Sequence, residues 1–448
     1  FFYDMHWPAT IRICGSRIAT GPNILVAPTS APPLYAQRRS LSAGSNDDLQ
    51  RRCLWRWGST AASKLRQQDV VEISENPTLV EGVKGATGVA CGAGHSAFIV
   101  DGRLFNFGTN KYHQLGRETP DDSSTGIGAE IGEVSFEAPN GSSPRVVIAA
   151  CGHFHSAAIT EDGGLWTWGW GGSFWSGAGA LGHSGSSGAN EPVLVERFSE
   201  EGEMIRQVAC GAQHTIVLTN EGRLYSTGKG DFGILGLGDS QDKPEFEEIE
   251  YFHQSVDSVL APTEPAMIVK VAAGHNFSAA LSQQGEVWVW GRNDYGQLGL
   301  GEEAMGDMYS AERYPRLVRS LPIEGHRIVD MACGEHHVVV LTAGGAIYEW
   351  GNRTWLEPVP VSLPARYEEG LKNIVKVGAG DKFSFALTAE GQLYSWGAKS
   401  SGCLALGSDC DKNVVEPTLV SPELFGHQKI VGFAASKWRC MAITQEDE

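Results

Sequence analysis

Hydrophobic positions along this chain fall in runs of about six residues separated by glycine-bearing turns, and one combination of runs keeps returning. In Val271–Gly301, VAAGHNFSAALSQQGEVWVWGRNDYGQLGLG, a pair of small residues closed by glycine leads into an apolar run. A turn carrying glycine follows, then an aromatic run ending in Trp-Gly, then a glycine-rich loop. Short runs bounded by such turns predict strands joined as β-hairpins. The aromatic run is unusual because both of its faces are apolar. Val287 and Val289 point one way while Trp288 and Trp290 point the other. Leu165 stands opposite Trp166 and Trp168 in the same manner, and Leu393 opposite Tyr394 and Trp396. Most antiparallel sheets keep one face for water. Sheets apolar on both faces must be stacked between neighbours, as the blades of a β-propeller are.

The combination is a tandem repeat. Aligning Ala273 with Cys91, Cys151, Cys210, Cys333, Ala379 and Ala435 yields seven copies spaced by 60, 59, 63, 60, 46 and 56 residues. From that position to the glycine closing the aromatic run is 17 residues in the first copy and 18 in the next five. Constant modules with variable connections predict an all-β fold, a seven-bladed β-propeller of four-stranded antiparallel blades. Cys, Ala and Gly suit the crowded inner end of a blade, and Trp and Tyr the wider gap between blades. Fourth strands are expected at 77–83, 144–150, 191–198, 314–321, 357–363 and 416–422, where proline at the start suits a sheet edge. The seventh copy (431–444) ends before its aromatic strand, and an orphan strand of that type, CLWRWG, stands at 53–58. Trp55, Trp57 and Gly58 are therefore expected to complete the C-terminal blade, so that residues 53–448 form the propeller and 1–52 an extension.

These motifs resemble the regulator of chromosome condensation family of seven-bladed propellers. The resemblance rests on the Cys-Gly-x-x-His-Ser/Thr runs at Cys91–Ser96, Cys151–Ser156 and Cys210–Thr215. It rests equally on the Gly-x-Leu-Tyr/Trp-x-Trp-Gly strands and the NDYGQLGLG loop at 293–301, and it covers roughly residues 53–444. The fifth copy departs by following Trp350-Gly351 with NRTWLEP, and the seventh by carrying Ser436 for Gly and Arg439 for His. The resemblance implies a rigid disc whose loops dock partners. For organellar members it implies association with mitochondrial ribosomes, organellar RNA processing or respiratory-complex assembly. For the nuclear member it implies guanine-nucleotide exchange on a small GTPase.

Composition adds the setting. No apolar run approaches the length of a membrane span, so membrane insertion is not expected. Between Met5 and Asn46 there is no Asp, Glu or Lys but four arginines, Arg12, Arg17, Arg38 and Arg39. An acid-free, arginine-bearing, Ser/Ala/Thr-rich start reads as a mitochondrial or plastid transit peptide, the alternative being a disordered basic arm of a cytosolic protein. With Arg39-Ser-Leu-Ser as the processing site, the mature chain is expected in the mitochondrial matrix. The net charge is −18, and six Arg against three Asp in residues 1–53 leave −21 on the remainder. An acidic disc repels phosphates, which excludes broad nucleic-acid binding and favours basic protein partners.

Candidate chemistry mostly dissolves into the repeat. Four of nine cysteines share one small-residue slot that alanine fills elsewhere, so packing accounts for them. The Cys-x-x-x-His pairs (Cys91/His95, Cys151/His155, Cys210/His214, Cys333/His337) fall in separate copies, and Phe277 and Phe383 replace the histidine in two others. A metal ligand is not exchangeable for Phe, so these read as turn histidines. Gly228-Lys-Gly-Asp-Phe-Gly233 matches the dinucleotide pattern GxGxxG without the helix that phosphate binding needs. No catalytic, cofactor-binding or metal-ligating set emerges, and a non-enzymatic protein needing no cofactor is expected. Two features rise above the repeat. Trp170, Phe174 and Trp175 lie in a glycine-rich connection that suits a partner anchor. Arg313, Arg316 and Arg319, with Arg327, form a locally basic stretch suited to ribosomal RNA phosphates or to an acidic protein. The expected role is a docking scaffold in a larger assembly, with ribosomal proteins or rRNA as first partners. Exchange on a small GTPase and an accessory or assembly role in a respiratory complex are the rivals.

Overall fold

A strand with two apolar faces needs a neighbour on each side, and the computed structural model of the chain supplies both. It describes residues 46–59, 73–119, 129–173, 177–184, 188–252, 266–304, 310–321, 326–362, 373–399 and 402–446. The segment 1–45, with the expected transit peptide and processing site, and the candidate anchors Phe174 and Trp175 lie outside the described residues. Seven four-stranded antiparallel sheets form a seven-bladed propeller, with one short ribbon, Gly172–Ser173 paired to Gly177–Ala178, beside the second blade. Blades are numbered by their inner strands: Ala86–Cys91, Val146–Cys151, Ile205–Cys210, Ile268–Ala273, Ile328–Cys333, Ile374–Ala379 and Lys429–Ala435. Each inner strand packs on the next, and the seventh packs on the first.

The double-faced third strands hold the blades together. In Val287–Arg292, Trp288 and Trp290 pack backwards against Ile216, Leu218 and Leu224 of blade three. Val287 and Val289 pack forwards against Val338, Val340 and Trp350 of blade five. None of these four side chains exceeds 2% exposure. Each such burial stabilises by roughly 1.5–3 kcal/mol. The Trp-Gly glycine is required by geometry. At Gly169 φ is 107°, and a Cβ would stand 2.7 Å from the Phe154 carbonyl oxygen; at Gly351 the corresponding distance is 2.3 Å, to His336.

The Gln-Leu-Gly loops lock one blade to the next. The Gln114 carbonyl of blade one accepts both the Trp168 indole N–H, at 3.0 Å, and the Ser156 hydroxyl, at 2.8 Å, from blade two. Ile234 does the same for Trp290 and Ser278 of blade four, and Gln297 accepts from Trp350 of blade five. Blade five lacks the loop, and Glu349 Oε2 accepts the Trp396 indole N–H of blade six instead, at 2.9 Å.

The ring closes as the unmatched ends require. Arg52–Ser59 pairs with Arg439–Gln445, setting Trp55 opposite Ala442 and Trp57 opposite Cys440. Ile73–Lys84 adds the outer strand, so blade seven takes two strands from each end of the propeller sequence. Trp57 donates to the Cys403 carbonyl at 2.7 Å and meets Phe385 and Phe425 edge-on. Gly58, at φ 94°, would place a Cβ 2.4 Å from the Trp438 carbonyl oxygen.

The outer strands differ from expectation in two places. Residues 144–150 belong to the inner strand of blade two, and the outer strand of blade one is Ala129–Val134. An edge strand pairs on one side only, and within this one Val134 is buried while Ile131 is 39% exposed, a pattern too weak to read beforehand. Blade three, for which no fourth strand was expected, takes Lys243–Glu248 as its outer strand, with Phe246 buried between exposed Glu245 and Glu247. Prolines 77, 192, 244, 315, 358 and 417 lie within the outer strands at their register shifts, where no ladder N–H is needed.

Candidate functional site at the mouth of the central channel

In every blade the turn between inner and second strand places three residues differently. The third points between blades. His95, His155 and His214 reach Ser156, Thr215 and Ser278 of the following blade at 2.6, 2.9 and 3.1 Å through Nε2. Those hydroxyls already donate to the Gln114, Ala180 and Ile234 carbonyls, so each histidine is the donor and carries its proton on Nε2. Burial pushes the pKa of all three down to about 3. His337 reaches Ser384 in the same way. The repeated Cys-x-x-x-His histidines are therefore interblade struts, as their exchange for Phe suggested.

The first residue of the turn points to the axis. Around the ring this slot holds Ala93, His153, Ala212, His275, Glu335, Asp381 and Lys437. A belt of backbone hydrogen bonds fixes it. Ala93 donates to the Gly152 carbonyl, His153 to Gly211, Ala212 to His275, His275 to Glu335 and Glu335 to Gly380, at 3.0–3.3 Å. The glycine before the slot permits this approach, since a Cβ on Gly334 would come within 2.3 Å of the Gly380 oxygen. The belt rims a channel cavity of about 90 Å³ walled by Cys91, Cys151, Cys210 and Cys333.

Three slot residues converge across the mouth. His153 Nε2 is 2.8 Å from Glu335 Oε1, and Lys437 Nζ is 3.2 Å from Oε2 of the same carboxylate. The Glu335 side chain is 7% exposed. Burial would raise its pKa, but His153, Lys437 and His275 outweigh burial and hold it well below the usual carboxylate range. The His153 and His275 rings lie 4.9 Å apart, and burial with the neighbouring His153 pushes His275 down to about 3. The cluster went unseen in the sequence because its members are 60 or more residues apart. The signal was available: the residue after the closing glycine, read down the aligned copies, lists the slot directly.

Aromatic rings extend the cluster across one face. His275 meets His336 at 5.6 Å, and His336 stacks on Tyr295 at 4.2 Å, beneath the Arg353 guanidinium. In the other direction His153 meets Phe154 at 5.9 Å, and Phe154 meets Tyr112 at 4.9 Å and Trp170 at 6.4 Å. A cleft of about 190 Å³ between His153, Phe154, Lys229, Phe232 and His275 opens beside it. Trp170 is thus brought into the same surface, half-buried against Phe154. The arginine stretch is not. Arg313 and Arg316 lie on the outer strand of blade four and Arg319 just beyond it, at the sheet edge farthest from the channel. Arg316 pairs with Glu312 at 3.0 Å, while Arg313 and Arg319 are exposed. The GxGxxG pattern ends in a three-residue 3-10 turn, Asp231–Gly233. The eight described cysteines form no disulfide with one another.

Comparisons with known proteins agree with this architecture. The model of the RCC1-like domain matches residues 53–442. Human E3 ubiquitin-protein ligase HERC2 is 32% identical over 291 residues, 64% of this chain and 5% of that protein. The Arabidopsis thaliana ultraviolet-B receptor UVR8 is 31% identical over 269 residues, 59% of this chain and 52% of the receptor. The chain therefore spans a small part of the first relative and about half of the second. The structure of Saccharomyces cerevisiae Prp20p, studied for its binding to Gsp1p and histones, matches in fold with a TM-score of 0.71 at 19% identity, covering 89% of this chain and 92% of that one. On the family match across residues 53–442, this chain belongs to the RCC1-like domain family.

Proposed function

We propose that this propeller is a non-enzymatic docking platform of the mitochondrial matrix that presents its channel-mouth face to protein partners, the mitochondrial ribosome first among them. The observation that carries this reading is the unbroken series of rings on that face, from Trp170 and Tyr112 through Phe154, His153, His275 and His336 to Tyr295. Half-buried aromatics rimmed by charge are the composition of binding hot spots. A chain of net charge −18 suits basic partners, as many ribosomal proteins are. The acid-free arginine segment before Asn46 supports the compartment. Exposed Arg313 and Arg319 offer a separate contact for rRNA.

The test is affinity purification from isolated mitochondria, followed by sedimentation, with the wild type and a Tyr112→Ala/Phe154→Ala/Tyr295→Ala variant. Co-sedimentation with the ribosome that is lost in a folded variant supports the reading, and buried anchors typically contribute ~2 kcal/mol or more each. Replacing Trp170, Phe174 and Trp175 by Ala is expected to weaken the same association. Recovery with a respiratory complex instead would replace the ribosome as partner. Acceleration of nucleotide release from a small GTPase by substoichiometric protein would overturn the scaffold reading in favour of exchange. Peptide mapping is expected to find the mature chain beginning near Ser42, and an intact 5–40 segment on the bulk of the protein would remove the cleavage.

A further inference from the structure

The geometry points to a divalent-cation site of two histidines and one carboxylate at the channel mouth, with His153, His275 and Glu335 as ligands and zinc as the best-matched ion. One ligand atom from each of the three residues lies within 4.8 Å of the others. Bonds of ~2.0–2.2 Å in a tetrahedral site set ligand atoms roughly 3.3 Å apart. His153 Nε2 and Glu335 Oε1 stand at 2.8 Å, so an ion between them needs a shift of about half an ångström. His275 Nδ1 is buried with no hydrogen-bond partner among the described residues. The backbone belt runs through all three residues, so the donors are held in place before any ion arrives.

The thiols of Cys91, Cys151, Cys210 and Cys333 line the channel cavity below and are the competing donors. Mixed imidazole and carboxylate donors suit zinc or a similar first-row ion rather than calcium or magnesium. Three protein ligands leave a coordination position open at the mouth. Lys437 stands on Oε2, the other oxygen of the carboxylate, where its charge opposes the ion and limits its affinity.

The test uses the full chain, stripped with a chelator and titrated with Co²⁺, then with Zn²⁺ in competition. Visible d–d bands of tetrahedral type that saturate at about one equivalent per chain, and that Zn²⁺ abolishes, are the expected result. Glu335→Gln and His275→Asn are each expected to weaken binding by at least ~10-fold. Lys437→Met is expected to strengthen it, and near-ultraviolet circular dichroism reports whether each variant is folded. Absent bands overturn the site, as do bands undiminished in folded Glu335→Gln and His275→Asn variants. A sulfur-to-cobalt charge-transfer band that disappears in Cys151→Ser would also overturn it, by placing the ion on the thiols. If neither ligand variant folds, unchanged affinity in Lys437→Met refutes the assignment and tighter binding supports it.

Discussion

Glu349 is the side chain whose replacement most directly tests how the blades are joined. Blade five has no Gln-Leu-Gly loop, and Glu349 Oε2 takes the Trp396 indole N–H that a loop carbonyl takes elsewhere, at 2.9 Å. Trp396 is 2% exposed, so Glu349→Ala leaves its N–H unpaired away from water. An orphaned buried donor costs about 1–3 kcal/mol. The propeller match from 53 to 442 spans 390 residues (442 − 53 + 1). At about 2.1 cal/mol/K per residue the unfolding entropy is about 0.8 kcal/mol/K, which converts the loss to a fall of ~1–4 °C in Tm. Glu349→Gln keeps the acceptor and removes the charge. Burial raises the Glu349 carboxyl, and the indole hydrogen bond offsets only part of that. Its contribution is therefore whole below the unfolded value of 4.5 and is lost as pH rises through the higher folded value. Calorimetric Tm at about pH 4 and about pH 7 separates the effects. Alanine should fall below wild type at both, while glutamine should match wild type in acid and equal or exceed it at neutral pH. Equal losses for Ala and Gln would show that the charge, and not the acceptor, joins the blades. No loss for Ala would show that the Trp396 N–H is satisfied by other means.

Trp57→Ala removes a 4%-exposed anchor of the closing blade, and large-to-small changes of this kind cost about 3–5 kcal/mol. Removal of Cys53–Gly58 should go further and cause aggregation through the opened sheet edge, whereas melting and sedimentation identical to wild type would show that the ring closes without this strand. His95, His155 and His214, held near pKa 3 by burial, contribute stability that is whole above the ordinary value of 6.5 and is lost as pH falls towards 3. His155→Phe, which copies Phe277 and Phe383, should shrink the difference in Tm between about pH 7 and about pH 4. An undiminished difference would move the acid sensitivity elsewhere.

The seven copies, the double-faced strands and the partnerless strand at 53–58 were all visible in the sequence. These depend on local rules, namely strand alternation with period two and the glycine that a positive φ demands, and an unpaired module at each end permits only one completion. Trp57 and Gly58 carried that inference on their own. The outer strand Ala129–Val134 was not legible, because an edge strand buries so little that its residues need no strong pattern. Nor was the task of Glu349: the departure of the fifth copy after Gly351 could be read, but the reach of Glu349 to Trp396 depends on how blades five and six pack. The channel mouth belongs wholly to the tertiary structure. His153, His275 and Glu335 occupy the same slot in blades two, four and five. Only closure of the ring, with its belt of backbone hydrogen bonds, turns equal positions in a repeat into neighbours around one axis.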